Sequence, residues 1–582
     1  MPRRLLVLLA LSLAALLLLF KLDYAPFWNP DEGRYSAASY EMAFGLDGRA
    51  PDWTIPHLNT VARLNKPPLI YWTTAGMFRL FGANEVAGRL PSALAAVLVL
   101  FVVFLWGRAA FGTKAGAGVA AALVWATSAF PFAMGRVANT DMQLCACIAL
   151  ASFGIYWSIE SRRKLLFGAI AGVGMGLALL SKGPVGLAFP LIIGALYLTA
   201  VRGWKKAPWG ALAAALAVAL AIGAPWYLAV EAQRPGWIKQ FILEENLGRF
   251  SGKEHFHDKT SPLFYLPILI AGMLPWTGLM LASLRRFEPI STRAGRAKLF
   301  FLLWTGFITL FFSLSGTKLV SYVLPAFPAL ALFTGGCLAN YEMWSVAQRR
   351  LGLGLSLLFN LVLGVAVAVK PGILLNDKMM PRDVGTPWAF IVVAALVFGS
   401  AFLLLTARRP SSRNLLGAQA AAGFLLLGLL MSLADHIAVY EDGSDLVRAL
   451  HPHMAKDDRL GIYLAFLPTA IVYAERPVTF FGFLNKSGLD DDELKSSPYF
   501  LSHEQIGAFV QKKPGRSFVI TSGPIWPQAS QGLFPWGRNN DWFLYGSVPK
   551  PAGFQFEFYA PRRKDRKIKN PYEVPEGSSH SQ

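Results

Sequence analysis

Two stretches of this chain carry the side chains that could do chemistry: Trp28-Asn29-Pro30-Asp31-Glu32-Gly33-Arg34-Tyr35 and Asn65-Lys66-Pro67-Pro68-Leu69-Ile70-Tyr71-Trp72. A carboxylate beside a cation can orient or deprotonate an acceptor and steady positive charge developing at a reacting carbon. Lys66 precedes two prolines, and a residue before proline is pushed out of the α region. Its ammonium is therefore held on extended backbone, as a point charge suited to a phosphate. The plainer alternatives are a carboxylate at the amino end of the helical stretch Ser36–Phe44 and a lysine snorkelling at a lipid boundary. One cap accounts for one acid, but not for two acids, Arg34 and the flanking Trp28.

Further charged candidates stand at the ends of apolar runs. Asp141 closes Gly135-Arg136-Val137-Ala138-Asn139-Thr140-Asp141 and is also a candidate N-cap. Lys182 sits in the turn Ser181-Lys182-Gly183-Pro184, and Lys318 precedes Tyr322. The segment 231–262 holds Glu244-Glu245-Asn246-Leu247-Gly248-Arg249-Phe250 and then His255-Phe256-His257-Asp258. The histidine pair is a weak candidate for a divalent metal, and surface or phosphate contacts are the preferred reading of it.

These residues have to be positioned by a lipid-soluble scaffold. The chain is 54% hydrophobic and 15% charged, with a mean hydropathy of +0.42. A soluble domain carries about a quarter charged residues, so the composition is that of an integral membrane protein. The net charge of +20 falls in short clusters between apolar runs, the pattern of topology signals and phosphate ligands rather than of nucleic-acid binding. Cys145, Cys147 and Cys337 lie inside apolar runs and read as small buried hydrophobes.

Runs long enough to cross a bilayer number roughly thirteen. They fall near 5–22, 90–106, 115–133, 142–159, 165–181, 184–201, 208–230, 263–284, 298–314, 319–337, 351–369, 387–406 and 414–433. Arg3, Arg4, Arg108, Lys114, Arg162 to Lys164, Arg202 to Lys206, Arg285, Arg286, Arg349, Arg350, Arg408 and Arg409 fall on one side if the spans alternate. The positive-inside rule then places the amino terminus in the cytoplasm and the carboxyl terminus outside, with the first loop 23–89, Asp141, Lys182, 231–262 and 315–318 on that outer face. The basic cluster Arg562 to Lys569 would lie outside too, which long domains tolerate. The first run reaches Phe20 without a clear small-residue cleavage site, so it reads as a retained span.

After residue 433 the character changes. Short β-like runs at Arg459–Tyr463, Ser517–Thr521, Trp542–Tyr545 and Phe554–Phe558, with helical stretches near 444–455 and 502–512, predict a small α/β domain over 434–569. Residues 570–582 are rich in Pro, Glu, Ser and Gly and read as a disordered tail. The domain plan is thus a transmembrane part, 1–433, followed by an outer α/β domain. There is no internal repeat, which counts against a transporter built of symmetric halves.

The motif set resembles the amino-terminal half of bacterial ArnT-like glycosyltransferases, relatives of the protein O-mannosyltransferases with the GT-C fold. The resemblance rests on Asp31-Glu32-Gly33-Arg34-Tyr35, Lys66 to Trp72, Phe81-Gly82 and Arg89-Leu90-Pro91-Ser92-Ala93-Leu94. It continues through Asn139-Thr140-Asp141, Ser181 to Pro184, Glu245 to Phe250, Tyr265-Leu266-Pro267, Leu274-Pro275-Trp276 and Lys318 to Pro325. It covers residues 1 to 340 well and the rest in outline. It implies a polytopic α-helical membrane enzyme that moves a sugar from a polyprenyl-phosphate donor to an envelope acceptor on the periplasmic face. In ArnT the sugar is 4-amino-4-deoxy-L-arabinose and the acceptor a lipid A phosphate. Carried over by motif, Asp31 is the catalytic carboxylate and Asp141 a second acid. Lys66, Lys182 and Arg249 contact phosphates, and Tyr322 lines the donor pocket. Glu32, Arg34 and Lys318 support substrate binding. The family commonly has Glu before the Lys-Pro-Pro where this chain has Asn65, so the sugar's identity stays open while the reaction type does not.

Such a transfer requires no metal: the leaving polyprenyl phosphate is a stable dianion, and cations assist its departure. The expected partners are the polyprenyl-phosphate-sugar donor, lipid A or another envelope acceptor, and membrane lipids, with no nucleic acid. A protein O-mannosyltransferase acting on Ser or Thr is the neighbouring alternative, which would need a true general base. A transporter would place charges in mid-span, whereas here they gather at span ends. A non-catalytic scaffold would be indifferent to neutralising Asp31.

Overall fold

The computed structural model describes residues 3–112, 116–248, 261–369, 393, 396, 397, 399, 400, 404, 410–441, 443–482, 489–523, 525, 531–539 and 542–551. Contacts divide the chain into two units, one of residues 1–22, 65–77 and 86–433, the other of 23–64, 78–85 and 434–582. The first polar loop, which the sequence places with the spans, groups largely with the carboxy-terminal residues.

The first unit is helical. Its helices are α1 (Arg3–Leu19), α3 (Leu69–Phe81), α4 (Glu85–Phe111), α5 (Ala117–Thr127), α6 (Ala129–Met134), α7 (Thr140–Glu160), α8 (Lys164–Lys182), α9 (Val185–Val201) and α10 (Trp209–Gln233), followed by further helices as far as Ser412–Glu441. Helices α3 and α4 also contribute residues to the second unit; α2 (Asp31–Phe44) lies wholly within it. Among the described residues, 7 helices are long and apolar enough to cross a membrane, and 8 if one bent pair is a single span. Three shorter apolar helices join them, at 4–19, 117–127 and 185–201. The expected span 387–406 falls mostly outside the described residues.

Two expected spans take another form. The run 263–284 is broken into Tyr265–Gly272 and Thr277–Ser283, bent by 111°. Pro275 lies in the break, and a proline can neither donate to nor fit inside the preceding turn. The run 319–337 opens as a 3-10 stretch, Val320–Ala326, before the α-helix Phe327–Leu338. Pro325 and Pro328 explain why the α form starts late.

Close packing of α8 depends on glycine. A Cβ on Gly168, Gly172 or Gly176 would stand 2.4, 2.5 and 2.9 Å from the carbonyl oxygens of Ala211, Ala215 and Ala219 on α10. On another face of α8, a Cβ on Gly174 would meet the Ala151 nitrogen of α7 at 2.5 Å. In lipid there is no hydrophobic gain from merely pairing apolar faces, so backbones brought together by small residues supply the attraction. A second cluster is aromatic: Trp106 packs on Tyr156, Phe300, Phe301 and Trp304 at 5.1–5.9 Å between ring centres. The three cysteines are free and buried, as their apolar surroundings imply.

The second unit carries an α/β sheet. Strands β1 (His57–Leu58) and β2 (Val61–Ala62) form a short hairpin. Strands β3 (Arg459–Tyr463), β4 (Val478–Phe481), β5 (Phe500–Leu501), β6 (Ser517–Thr521), β7 (Phe534–Asn539) and β8 (Trp542–Gly546) form one sheet in the order β5-β4-β3-β6-β8-β7. Pairings among β3, β4, β5 and β6 are parallel, and β8 and β7 add an antiparallel edge. One core face collects Tyr463, Phe481, Phe509, Val519 and Tyr545. Sequence reading located β3, β6 and β8, but missed β4, β5 and β7. The first two are short, and β4 is buried along its whole length, which erases the alternation that marks a strand. The expected strand 554–558 and the tail 570–582 lie outside the described residues.

Long-range hydrogen bonds explain the grouping of the first loop with this sheet. Asn59 donates to the Val478 carbonyl at 2.7 Å and accepts from the Val478 N–H at 3.1 Å. The Glu493 carboxylate accepts from the Ala62 N–H at 2.7 Å. Tyr473 accepts from the Phe27 N–H at 2.9 Å and donates to Glu85 at 2.7 Å. Glu85 also pairs with Arg448, whose guanidinium lies 4.2 Å from the centre of the Tyr473 ring.

Candidate functional site

Within the helical unit, several helix ends meet at one end of the bundle. Gln143, one turn into α7, donates to Thr73, one turn into α3, at 2.8 Å, so both helices open side by side. Ser92 near the start of α4 donates to the Asn139 carbonyl at 3.4 Å, and Ser181 near the end of α8 donates to the Thr140 carbonyl at 3.3 Å. The end of α1 joins them: buried Arg89 donates to the Leu22 carbonyl at 2.8 Å, and buried Arg136 to the carbonyls of Phe20 and Lys21. Two guanidiniums thus satisfy carbonyls that the end of α1 would otherwise leave unpaired in an apolar setting.

At this end Lys182 forms an ion pair with Asp141, with side chains only 16% and 12% exposed. The Lys182 ammonium also lies 4.7 Å from the centre of the Tyr322 ring. Local structure favours each charge. Asp141 is in the first turn of α7 and Lys182 in the last turn of α8, where the helix dipoles stabilise an anion and a cation respectively. Asp141 is not the cap: Asn139 is, accepting from the Asp141 N–H at 3.1 Å. The Asp141 carboxylate is therefore left to the lysine. Beside this trio, Tyr265 donates to the Leu319 carbonyl at 3.1 Å, fixing the chain just before Tyr322. The π-helical turn Phe241–Gly248, which contains Glu244 and Glu245, approaches the same place, since a Cβ on Gly183 would meet the Phe241 ring at 2.9 Å.

Lys66 and Lys318 are half-buried in the same unit. Lys66 lies just ahead of α3, where the Trp72 N–H donates to the Pro68 carbonyl at 2.8 Å. The neighbouring Asn65 has a buried Oδ1 with no hydrogen-bond partner among the described residues. Arg249, His255 and His257 lie outside the described residues. No group of three His, Cys, Asp or Glu side chains that could hold a metal occurs among the described residues.

Asp31, Glu32 and Arg34 belong to the other unit, and their environments differ sharply. Glu32 is fully buried, and its carboxylate accepts from the Trp28 N–H at 2.8 Å, closing the turn that leads into α2. Asp31 has a side chain 74% exposed and pairs with Arg34 one turn on. Glu32 is the structural acid, and Asp31 presents its carboxylate to the surroundings. Asn29 donates to the Thr469 hydroxyl at 2.9 Å, anchoring the loop to the start of the helix Thr469–Ala474. Farther along α2, buried Glu41 accepts from the Thr60 N–H at 3.1 Å, and burial lifts its carboxyl to about 7. Neither Glu41 nor the Glu85–Arg448–Tyr473 cluster was visible in sequence, because their partners lie in distant or irregular segments.

Known proteins resemble this chain in both sequence and fold. The model of the dolichyl-phosphate-mannose-protein mannosyltransferase family matches residues 65–228. The chain is 32% identical over 366 residues to undecaprenyl phosphate-alpha-4-amino-4-deoxy-L-arabinose arabinosyl transferase 2 of Pseudomonas fluorescens, covering 62% of this chain and 64% of that one. That alignment spans just under two thirds of the relative's length. Over 498 residues it is 28% identical to the corresponding transferase of Erwinia tasmaniensis, covering 84% of this chain and 80% of that one. The crystal structure of ArnT from Cupriavidus metallidurans bound to undecaprenyl phosphate matches with a TM-score of 0.77 at 23% identity, covering 94% of this chain and 99% of that one. The chain has the ArnT fold, and its sequence is ArnT-like well beyond the motifs that first suggested it.

Proposed function

We propose that this chain is an integral-membrane glycosyltransferase that moves a sugar of the 4-amino-4-deoxy-L-arabinose type from undecaprenyl phosphate to lipid A or a related envelope acceptor. The observation that carries the reading is the Lys182–Asp141 pair beside Tyr322, a fixed cation at the helix ends of an apolar bundle. It lies within the segment that the mannosyltransferase family model matches.

In this reading the bond between the anomeric carbon and the donor phosphate oxygen breaks, and the electron pair leaves with undecaprenyl phosphate. Lys66, Lys182, Arg249 and Lys318 offset the charge that grows on that phosphate. An acceptor oxygen attacks the anomeric carbon from the opposite face. Asp31 assists the acceptor, or steadies positive charge at the anomeric carbon, with Arg34 setting its orientation. Asp141 holds Lys182 in place. The unpartnered Oδ1 of Asn65 accepts from a sugar hydroxyl or amine. The scheme needs no metal. About thirteen spans, an amino terminus in the cytoplasm and a periplasmic site complete the reading.

The test is transfer of labelled sugar from its undecaprenyl-phosphate donor by membranes containing the protein. Product carried on lipid A supports the reading. The match at residues 65–228 keeps one second reading alive, transfer to a Ser or Thr hydroxyl of a protein. In that case the label appears on a periplasmic protein.

A further inference from the structure

We propose that a crevice in the second unit, at the carboxyl ends of β3 and β6, binds an uncharged pyranose ring of the acceptor glycan. The inference rests on the glycosyl-transfer reading and adds to it a site and a ligand class.

Topology puts a crevice there. From β3 the sheet grows one way through β4 to β5, and the chain then crosses back to place β6 on the other side of β3. Strand order thus reverses between β3 and β6. In open parallel sheets the segments leaving two such strands diverge, and a ligand-sized gap opens beyond their carboxyl ends. Leu464 to Leu467, which follow β3, and Ser522, which follows β6, line a cavity of about 370 Å³, closed by Pro26 to Asn29 and Trp542.

The lining indicates the ligand. Trp28, Phe466 and Trp542 present aromatic surface, and among the described residues that line the cavity none is Lys, Arg, Asp or Glu. A phosphate would find no cation among these residues, and an aliphatic chain would leave the Ser522 hydroxyl unused. A pyranose ring has an apolar C–H face for the aromatics and a rim of hydroxyls for Asn29, Ser522 and the backbone. Leu464 adds a second sign. It is 51% exposed and holds a left-handed backbone at φ 52°, both unfavourable for a leucine. Such a residue at a crevice mouth suits a site where a ring covers it.

Position couples the crevice to the reaction. Trp28 and Asn29 line it, and Asp31 follows two residues later. Glu32 fixes the Trp28 N–H, and Thr469 fixes Asn29. A ring held there would be registered against the carboxylate by two short, braced residues. The walls are already positioned: Phe466 packs on Phe480 at 5.2 Å between ring centres, and Phe27 stacks on Tyr473 at 6.2 Å.

The test uses the full chain in lipid nanodiscs, with methyl N-acetylglucosaminide as the uncharged probe, together with initial-rate kinetics on the complete acceptor. Leu464→Asn suits the left-handed backbone and so keeps the fold, while Phe466→Ala removes an aromatic wall. Saturation-transfer NMR should show ring protons in contact with the wild type, and each variant should weaken that signal. Each variant should also raise KM for the acceptor about tenfold, leaving kcat and the donor KM within about twofold. An unchanged acceptor KM in folded variants, or no ring signal with the wild type, would overturn the proposal. A rise in donor KM alone would overturn it too, because the crevice would then belong to the donor. Absence of any transfer by the wild type would sink the proposed function, and the ring signal, read without catalysis, would still decide the crevice.

Discussion

Lys182→Met separates the structural from the chemical role of the ion pair. Asp141 and Lys182 are 12% and 16% exposed, so the mutation strands a mostly buried carboxylate. Breaking such a pair from one side costs about 3–5 kcal/mol. The amino end of α7 still favours Asp141, by up to about 1 kcal/mol, so a net loss of about 2–4 kcal/mol is expected. Losing the cation above Tyr322 adds to the upper part of that range. Asp141→Asn combined with Lys182→Met removes both charges and should recover stability to within about 1 kcal/mol of the wild type. Transfer should fall at least about a hundredfold in the single variant, equivalent to about 2.7 kcal/mol at the transition state. It should stay low in the double variant, where the cation is still missing. The assays are chemical unfolding in mixed micelles and sugar transfer in membranes at matched protein levels. Recovery of both stability and transfer in the double variant would refute the phosphate role and leave the pair purely structural.

Asp31→Asn should leave stability unchanged, because its side chain is 74% exposed, and should lower transfer by two or more orders of magnitude. Glu32→Gln should lower stability by about 1 kcal/mol, through its bond to the Trp28 N–H, and cost less activity; the reverse pattern in melting and transfer assays would swap the roles. Glu41, with a carboxyl near 7 when folded against 4.5 as its ordinary value, is penalised as it ionises. Wild-type stability should therefore fall as pH rises from about 4.5 to about 7, and Glu41→Gln should flatten that slope and gain up to about 3 kcal/mol above pH 7. Identical melting profiles of wild type and variant at pH 5 and pH 8 would refute the burial argument. Alkaline phosphatase fused after residue 434 should be active and after Arg350 inactive; the opposite result would invert the topology.

What could be read from the sequence was whatever local chemistry decides. Several long apolar runs, the proline after Lys66, the turn at Lys182-Gly183-Pro184 and the acids opening α2 each act over a few residues, and these are where they were expected. The Asp141–Lys182–Tyr322 cluster needed three segments to meet, and only the motif resemblance pointed to it. Local reasoning could not choose the cap of α7, since Asn139 and Asp141 are both good caps by type and only geometry decides between them. The break inside 263–284 carried a signal in Leu274-Pro275, but hydropathy outweighed it. Asn59, Glu85 and Arg448 gave no signal at all, because hydrogen bonds between residues about 400 apart leave no periodicity. The aromatic crevice was equally hidden, as its walls come from four separate parts of the chain.

The most direct test of the account is reconstitution of the purified chain in proteoliposomes with lipid A and a labelled aminoarabinose–undecaprenyl phosphate donor, followed by mass spectrometry of the extracted lipid. The account predicts lipid A carrying one added amino sugar on phosphate, together with released undecaprenyl phosphate in equal amount. Unmodified lipid A beside an intact donor, from protein shown to be folded, would contradict it.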